Sequence, residues 1–296
     1  MEYDLYDSKH PVFQVDSAIV KQAYTSLDNY LIINSPNNED SKICAIYFSG
    51  HSIYFPNNEP SFKQNIINKN RFEWYGIRVK GACKHIYLRD IHKQWYLSGI
   101  NSKINSPEKL CDFLIAETKG YKVICIGSSA GGYAALLFGS ILGATVYAFS
   151  PRIEMLSLDR YSSPEKAPLY FRLKGTSLKQ YMDIVPFLKA STTPMYCFYP
   201  TKSQLDKIQL SHLNNVSTDN IPNVHIIKFS TTKHGVPFPK EALGDIVSSQ
   251  NIDLNRFKRK VNNPIIFSIR IIGVKRTILG IYKQLKKYYS NKRIQH

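Results

Sequence analysis

Acidic residues are missing from the last part of the chain, since no Asp or Glu occurs from residue 254 to residue 296. That segment holds 12 of the 39 Lys and Arg residues, whereas residues 1–253 hold the other 27 together with all 22 acidic residues. The net charge of +17 therefore divides into +12 for the C-terminal segment and +5 for the rest. The basic character belongs mainly to one segment rather than to a surface that spans the chain.

Two further signals are absent. The first ten residues, MEYDLYDSKH, have neither a basic n-region nor an apolar h-region, so the sequence predicts no secretory signal and a cytoplasmic location. The five cysteines show no C-x-x-C spacing, and they are Cys44, Cys83, Cys111, Cys125 and Cys197. Buried free thiols are predicted, and we expect neither a metal ion nor a cofactor.

Charge is also absent from residues 123–151, VICIGSSAGGYAALLFGSILGATVYAFSP. A run of this length could be a membrane span. Five glycines, several serines and Thr145 instead divide it into a β-branched strand at 123–126, a glycine turn, an Ala/Leu-rich helix and a second strand at 144–149. The sequence predicts a strand-turn-helix unit with Ser129 in the turn.

The turn has the pattern G-x-S-x-G, from Gly127 to Gly131. A nucleophile elbow holds its serine on a strained turn, so the flanking residues must be small enough for strand and helix to approach each other. The amide of Ala130, at the start of the helix, would point at an oxyanion on a substrate bound to Ser129. A purely structural glycine turn is the alternative.

These residues resemble the α/β-hydrolase superfamily of serine esterases, lipases and acyltransferases. The GSSAGG elbow on a chain without a signal peptide is also similar to enzymes of this type that modify bacterial capsule or other surface glycans. The resemblance covers residues 43–250, and it implies an α/β fold with a mostly parallel sheet flanked by helices in a domain of residues 1–253, with a small helical lid over about residues 151–193. Residues 254–296 are predicted from their own composition to form a basic helical tail.

Other segments fit that layout. Further strands are predicted at residues 43–48, 84–88, 195–199 and, as the last one, 223–229, and helices at 106–120 and 240–249. Residues 12–15 and 24–33 predict a pair of strands at the sheet edge. Arg152, at the start of the lid, could meet an anionic substrate or form a surface salt bridge.

The resemblance also implies a catalytic triad in the chain order Ser, Asp, His. Ser129 is followed by Asp206, after the predicted strand 195–199, and by His234, after the predicted strand 223–229. Asp219 is the alternative acid. The loop after strand 43–48 would supply a second oxyanion donor from Gly50 or His51, although His51 could equally be a surface histidine.

The predicted activity is acyl-ester hydrolysis or O-acyl transfer through an acyl-enzyme, with a small-molecule or glycan ester as substrate. No residue decides between water and a sugar hydroxyl as acceptor. A catalytically silent scaffold within a membrane-associated biosynthetic or secretion complex is the alternative.

The tail predicts a basic amphipathic helix. Ile278, Tyr282, Leu285 and Tyr289 fall on one helical face, and Lys283, Lys286 and Lys287 lie off it. Such a helix could lie on an anionic inner-membrane surface as a peripheral anchor. A helix packed on the domain with a solvated basic face is the alternative, and nucleic-acid binding is not expected.

Overall fold

A computed structural model describes residues 11–35, 41–215, 221–248 and 252–293, with side chains described as far as residue 286. Its centre is a sheet of eight strands: β1 Tyr30–Asn34, β2 Ile43–Phe48, β3 Lys84–Leu88, β4 Lys122–Ser128, β5 Thr145–Phe149, β6 Met195–Pro200, β7 Val224–Phe229 and β8 Val261–Asn262. The strand order is β1-β3-β2-β4-β5-β6-β7-β8. All neighbouring strands are parallel except β1, which runs antiparallel to β3.

Helices cover both faces of the sheet. They are α1 Phe13–Asp16, α2 Ala18–Ser26, α3 Glu59–Phe62 continued by a π-helical stretch Lys63–Asn68, α4 Pro107–Thr118, α5 Ala130–Ile141, α6 Leu158–Tyr161, α7 Pro168–Lys174, α8 Val185–Ala190, α9 Gln204–Asn215, α10 Leu243–Ser248 and α11 Pro264–Arg293. The architecture is of the α/β-hydrolase type, as the sequence predicts.

The central strands are uniformly apolar because both faces of the sheet are buried. In β4, Val123 and Cys125 join a core that contains α4, α5 and α8, while Ile124 and Ile126 join a second core closed by α10 and α11. The five cysteines are free, and the three that lie in strands are buried, as the sequence predicts. Cys83 and Cys111 are only half-buried, which the sequence does not predict.

The prediction of an N-terminal strand pair is wrong. Residues 12–15 contribute to α1, and residues 24–33 contribute the end of α2 and a single edge strand, β1. In α2, Val20 and Ala23 are both buried, and they pack with Tyr54 and Phe62 in a small separate core. Their spacing of three residues is a helical repeat, and only residues 30–34 extend along the sheet.

The insertion at residues 151–193 is helical, as predicted. It contains α6, α7, a 3₁₀ helix at Ser177–Tyr181, and α8. Its buried residues, among them Tyr170, Leu173 and Leu188, join the core on the α5 side of the sheet. The insertion is thus anchored to one layer of the domain.

The prediction that the strand at residues 223–229 is the last one is wrong, because β8 pairs with β7 farther along the chain. The Asn262 side chain donates to the carbonyls of Phe257 (2.9 Å) and Lys228 (3.1 Å). A strand of two residues is too short to leave a periodic pattern. The segment after residue 253 therefore begins with core residues, including the buried Leu254 and Phe267.

Helix α11 changes direction at Gly273, whose φ of 79° and ψ of 166° are not helical. After Gly273, Arg276 pairs with Asp245 of α10 (2.6 Å), and Gly280 lies so close to Glu241 that a Cβ atom would be 2.3 Å from its carboxylate. Across the described parts of the chain, no helix combines the length and the apolar character that crossing a bilayer requires.

Candidate active site

Ser129 has a backbone conformation that non-glycine residues rarely adopt. Its φ is 55° and its ψ is −117°, and it connects the end of β4 to the first residue of α5. Its N–H donates to the carbonyl of Phe149 on the neighbouring strand (2.9 Å). Strained backbone of this kind persists where the surrounding structure enforces it, and it concentrates at functional sites.

The glycines around Ser129 allow three backbones to meet. A Cβ atom on Gly127 would lie 2.0 Å from the Gly131 carbonyl oxygen, and one on Gly131 would lie 2.2 Å from the Phe48 carbonyl oxygen at the end of β2. Both distances are far below any van der Waals contact. The pattern G-x-S-x-G is therefore a steric requirement of this turn.

An acid and a histidine are paired at the same edge of the sheet. Asp206 lies in the first turn of α9, after β6, and is 1% exposed. Its Oδ2 lies 2.9 Å from Nδ1 of His234, in the loop after β7. Because a carboxylate only accepts hydrogen bonds, Nδ1 carries the proton and Nε2 is left as the basic nitrogen. Asp219, the alternative acid, lies outside the described residues.

The histidine loop is tied to the strand next to the elbow. Gly235, with a φ of 87°, donates its N–H to Ser150 Oγ (3.0 Å). In return, Ser150 Oγ donates to the Gly235 carbonyl (3.1 Å). This reciprocal pair fixes the residue beside His234 to the end of β5.

One cavity of about 420 Å³ brings these groups together. Its walls include Ser129, His234, Gly50, His51, Glu73 and Trp74. The His234 side chain is 44% exposed, and within the described residues no hydrogen bond joins it to Ser129 Oγ. No residue of the 151–193 insertion lines this cavity, so the predicted lid forms other surfaces instead.

The two predicted oxyanion donors differ in their surroundings. The Ala130 amide begins α5 and makes no backbone hydrogen bond with any described residue. The Gly50 amide donates to Glu73 Oε2 at 2.5 Å. Gly50 lies directly against the elbow, because a Cβ atom on it would be 2.8 Å from the Ser128 carbonyl oxygen.

Glu73 is a site residue that sequence reasoning missed. Its Oε1 accepts from Ser52 Oγ (3.2 Å), and burial raises the pKa of its carboxyl. It comes from the aromatic turn RFEWYG, between α3 and β3. No pattern in that turn indicates that its acid enters the cavity.

His51 follows Gly50 in the same loop and also lines the cavity. Burial and the charges of Lys93 and Arg152 lower the pKa of His51 to about 3, so the ring is neutral at physiological pH. Its Nε2 is buried without a hydrogen-bond partner. Within the described residues, no three His, Cys, Asp or Glu side chains form a group that could hold a metal ion.

Comparison with known proteins finds similarity to solved structures alone. No family model and no curated protein matches the chain. Among solved structures, it is similar to a capsule O-acetyltransferase of Neisseria meningitidis serogroup A at 13% identity, covering 68% of this chain and 83% of that one with a TM-score of 0.45. A protein of unknown function from Staphylococcus aureus subsp. aureus Mu50 matches at 14% identity, covering 82% of this chain and 94% of that one with a TM-score of 0.43.

A third similar structure is the acylaminoacyl peptidase of Pyrococcus horikoshii, at 11% identity, covering 70% of this chain and 36% of that one with a TM-score of 0.45. Likenesses this distant do not assign a substrate or a reaction to the chain.

Replacing Gly127 should destabilise this α/β-hydrolase fold. Gly127→Ala places a methyl group against the Gly131 carbonyl, and we expect the free energy of unfolding in urea to fall by about 1–3 kcal/mol. Gly175→Ala is the matched control because its Cβ would meet nothing within 4 Å, and its effect should stay within about 0.5 kcal/mol. Equal effects of the two substitutions would contradict the steric account.

Replacing Glu73 should change the pH dependence of stability. Because burial raises its pKa, the folded protein holds the Glu73 proton more tightly than the unfolded chain does. Below the ordinary pKa of 4.5, Glu73 is protonated in both states and its ionisation does not lower the free energy of unfolding. As the pH rises from that value through the raised pKa of the folded protein, the free energy of unfolding falls. Glu73→Gln keeps an acceptor for Gly50 and should gain stability relative to wild type from acid to neutral pH.

Urea denaturation at a series of pH values measures this difference. Glu59→Gln is the matched control, since Glu59 pairs with Lys63 on an exposed helix surface. A constant difference between wild type and Glu73→Gln across the series would show that burial of Glu73 does not raise its pKa.

Proposed function

We propose that the protein is a serine-dependent acyl-ester hydrolase or O-acyltransferase that works through an acyl-enzyme. The observation that carries this proposal is the strained conformation of Ser129 at one wall of a cavity that also contains His234, paired with the buried Asp206. A serine hydroxyl is a poor nucleophile at neutral pH, and it requires a base whose orientation is fixed.

In the proposed reaction, Ser129 Oγ attacks the ester carbonyl carbon while Nε2 of His234 takes the hydroxyl proton. The Asp206 carboxylate keeps the proton on Nδ1 and stabilises the imidazolium. When the tetrahedral intermediate collapses, the ester C–O bond breaks and His234 returns the proton to the departing alkoxide. The acceptor, water or a hydroxyl group, then repeats these steps on the acyl-enzyme.

The amides of Ala130 and of the Gly50–His51 loop are the proposed oxyanion donors. Glu73 competes for the Gly50 amide, and its charge would repel a developing oxyanion. We propose that Glu73 releases Gly50 or takes up a proton when an ester binds. The raised pKa of Glu73 lowers the cost of that protonation.

The finer proposal is that the ester lies on a glycan of a bacterial surface or capsule, with either water or a sugar hydroxyl as acceptor. A catalytically silent scaffold is the second candidate. It is favoured by one observation, the lack of a hydrogen bond between Ser129 Oγ and His234 among the described residues, although catalytic contacts can lengthen in the absence of substrate.

Labelling with a fluorophosphonate probe tests the activated serine. We expect the wild type to be labelled, and Ser129→Ala and His234→Ala each to lose labelling by about 100-fold or more, because nucleophile and base act as a unit. Ser140→Ala and His225→Ala are matched controls, since neither residue lines the cavity. Absence of labelling in folded wild type would favour the scaffold.

We also propose that α11 docks on an anionic membrane surface, while the cytoplasmic location stays a prediction. The side of α11 that packs on the domain contains Thr277 and Gly280, whereas Val274, Ile278, Tyr282 and Leu285 are 51–63% exposed on another side. Exposed Lys275 and Lys283 lie beside this apolar stripe. The side chains of Tyr289 and Lys287 lie beyond the described ones.

Apolar residues flanked by cations match the interface of an anionic bilayer, where each cation adds about 1 kcal/mol of binding energy. We therefore expect the protein to float with phosphatidylserine-containing vesicles and not with phosphatidylcholine alone. Lys275→Gln with Lys283→Gln, or Ile278→Gln with Tyr282→Gln, should weaken binding by roughly tenfold or more.

Ile115→Gln is the matched control, because Ile115 is similarly exposed on α4 and should bind as wild type does. Equal binding to neutral vesicles, or no effect of either double substitution, would argue for a helix that only packs on the domain. Binding to nucleic acid in place of vesicles would reverse the assignment of the partner.

A further inference from the structure

A second cavity, of about 370 Å³, is lined by His51 but not by Ser129. Its walls come from α1, the loop after β3, the start of the 151–193 insertion and α7. His51 lines both cavities. The second cavity is therefore next to the proposed reaction centre and shares a side chain with it.

The walls of this cavity are cationic. Lys93, Arg152 and Lys166 line it together with His51, and no Asp or Glu is among its lining residues. Two acids outside the cavity walls act on these cations, since the charges of Asp90 and Glu154 partly offset the effect of burial on the pKa values of Lys93 and Arg152. Asp90 accepts from the Tyr96 amide (2.9 Å), and Glu154 accepts from Gln209 Nε2 (3.1 Å). Three cationic side chains thus line one cavity whose walls contain no acidic residue.

Two of these groups have a buried nitrogen atom that is left unpaired. Nη1 of Arg152 has no hydrogen-bond partner, and neither has Nε2 of His51. Lys93 is only 3% exposed, and its Nζ donates to the Tyr54 carbonyl and to Asn57 Oδ1 (2.6 Å), both neutral acceptors. Burial lowers the pKa of Lys93 to about 7. A buried cation and an unsatisfied guanidinium are both costly unless an anion completes them.

The backbone that presents these groups is strained. Lys93, Trp95 and Tyr96 all have positive φ values, between 55° and 64°. The hydroxyl of Tyr96 donates to the Ser49 carbonyl (2.9 Å), which fixes this loop to the residue before Gly50. Trp95 contacts His51 and Arg152. The centre of its ring lies 5.0 Å from that of the His51 ring and 5.9 Å from the Arg152 guanidinium carbon.

From this arrangement we infer that the cavity is a binding site for an anionic group, a carboxylate or a phosphate, on the molecule whose ester is processed at Ser129. Arg152 supplies the charge-assisted hydrogen bonds, Lys93 an ammonium group whose charged form a bound anion favours, and Trp95 an apolar surface for the sugar or carbon skeleton that bears the anion. The link to the substrate rests on the proposed function, whereas the anion site itself does not.

The chain's tryptophans provide the test. It has only two, Trp74 in the cavity of Ser129 and Trp95 in the cationic cavity. In Trp74→Phe, fluorescence reports on Trp95 alone. We expect saturable changes with glucuronate or glucose 6-phosphate and none with glucose, and the tighter of the two anions identifies the carboxylate or the phosphate as the recognised group.

Arg152→Gln should weaken this binding by about tenfold or more, because it removes a charge-assisted hydrogen bond. Arg160→Gln, an exposed arginine in the same insertion, is the matched control for the lost charge and should bind as the parent does. Calorimetric titration of the unsubstituted chain repeats the comparison without the change at Trp74.

Equal responses to glucose and to the anionic sugars, or equal binding by Arg152→Gln and Arg160→Gln, would overturn the inference. The test is independent of turnover, because Ser129→Ala should bind the anion as tightly as wild type does. Anion binding without fluorophosphonate labelling would leave this site standing and remove the proposed activity, and the reverse result would remove this site alone.

Discussion

The close approach of three backbones at Ser129 is the constraint on which the candidate site depends. The turn after β4, the start of α5 and the end of β2 come so near one another that Gly127 and Gly131 have no room for a Cβ atom. This contact forces the positive φ of Ser129 and brings the Gly50 loop against the elbow. The positions of the Ser129 hydroxyl, the Ala130 amide and the Gly50 amide therefore all depend on this one close contact between backbones.

Electrostatics divides the surroundings of that elbow into two parts. Glu73 brings a carboxyl group with a raised pKa to the Gly50 amide. His51, which follows Gly50 in the chain, is held neutral beside Lys93 and Arg152. An acid that protonates readily and a histidine that resists protonation thus occupy adjacent positions. Both effects come mainly from burial, which disfavours the charged form of either group.

Sequence patterns predicted the parts of the fold that have strong local determinants. Strands β2 and β3 have the predicted bounds, and the Ser106 cap and Pro107 mark the observed start of α4. Patterns failed where tertiary contacts decide. The N-terminal residues are helical because Val20 and Ala23 pack on a separate small core, and β8 forms because Asn262 is bonded to neighbouring carbonyls.

The candidate site divides in the same way. Ser129, Asp206 and His234 could be selected from their positions after strands, because parallel strands bring their carboxyl ends to one edge of the sheet. Glu73 and Lys93 could not, since each comes from an irregular loop whose direction depends on long-range contacts. The Glu73 loop is held by its bond to Gly50, and the Lys93 loop by buried Asp90 and Tyr96.

The separation of the two cavities bears on how such a site would select a substrate. The reacting bond would lie in the cavity of Ser129, which His51 also lines. The second cavity adds Trp95 and Arg152, which come from the strained loop and from the insertion. Binding energy from a remote part of a substrate can then serve to position the ester at Ser129. On this view the insertion determines specificity without covering the nucleophile, because Arg152, which follows Pro151, lines the second cavity.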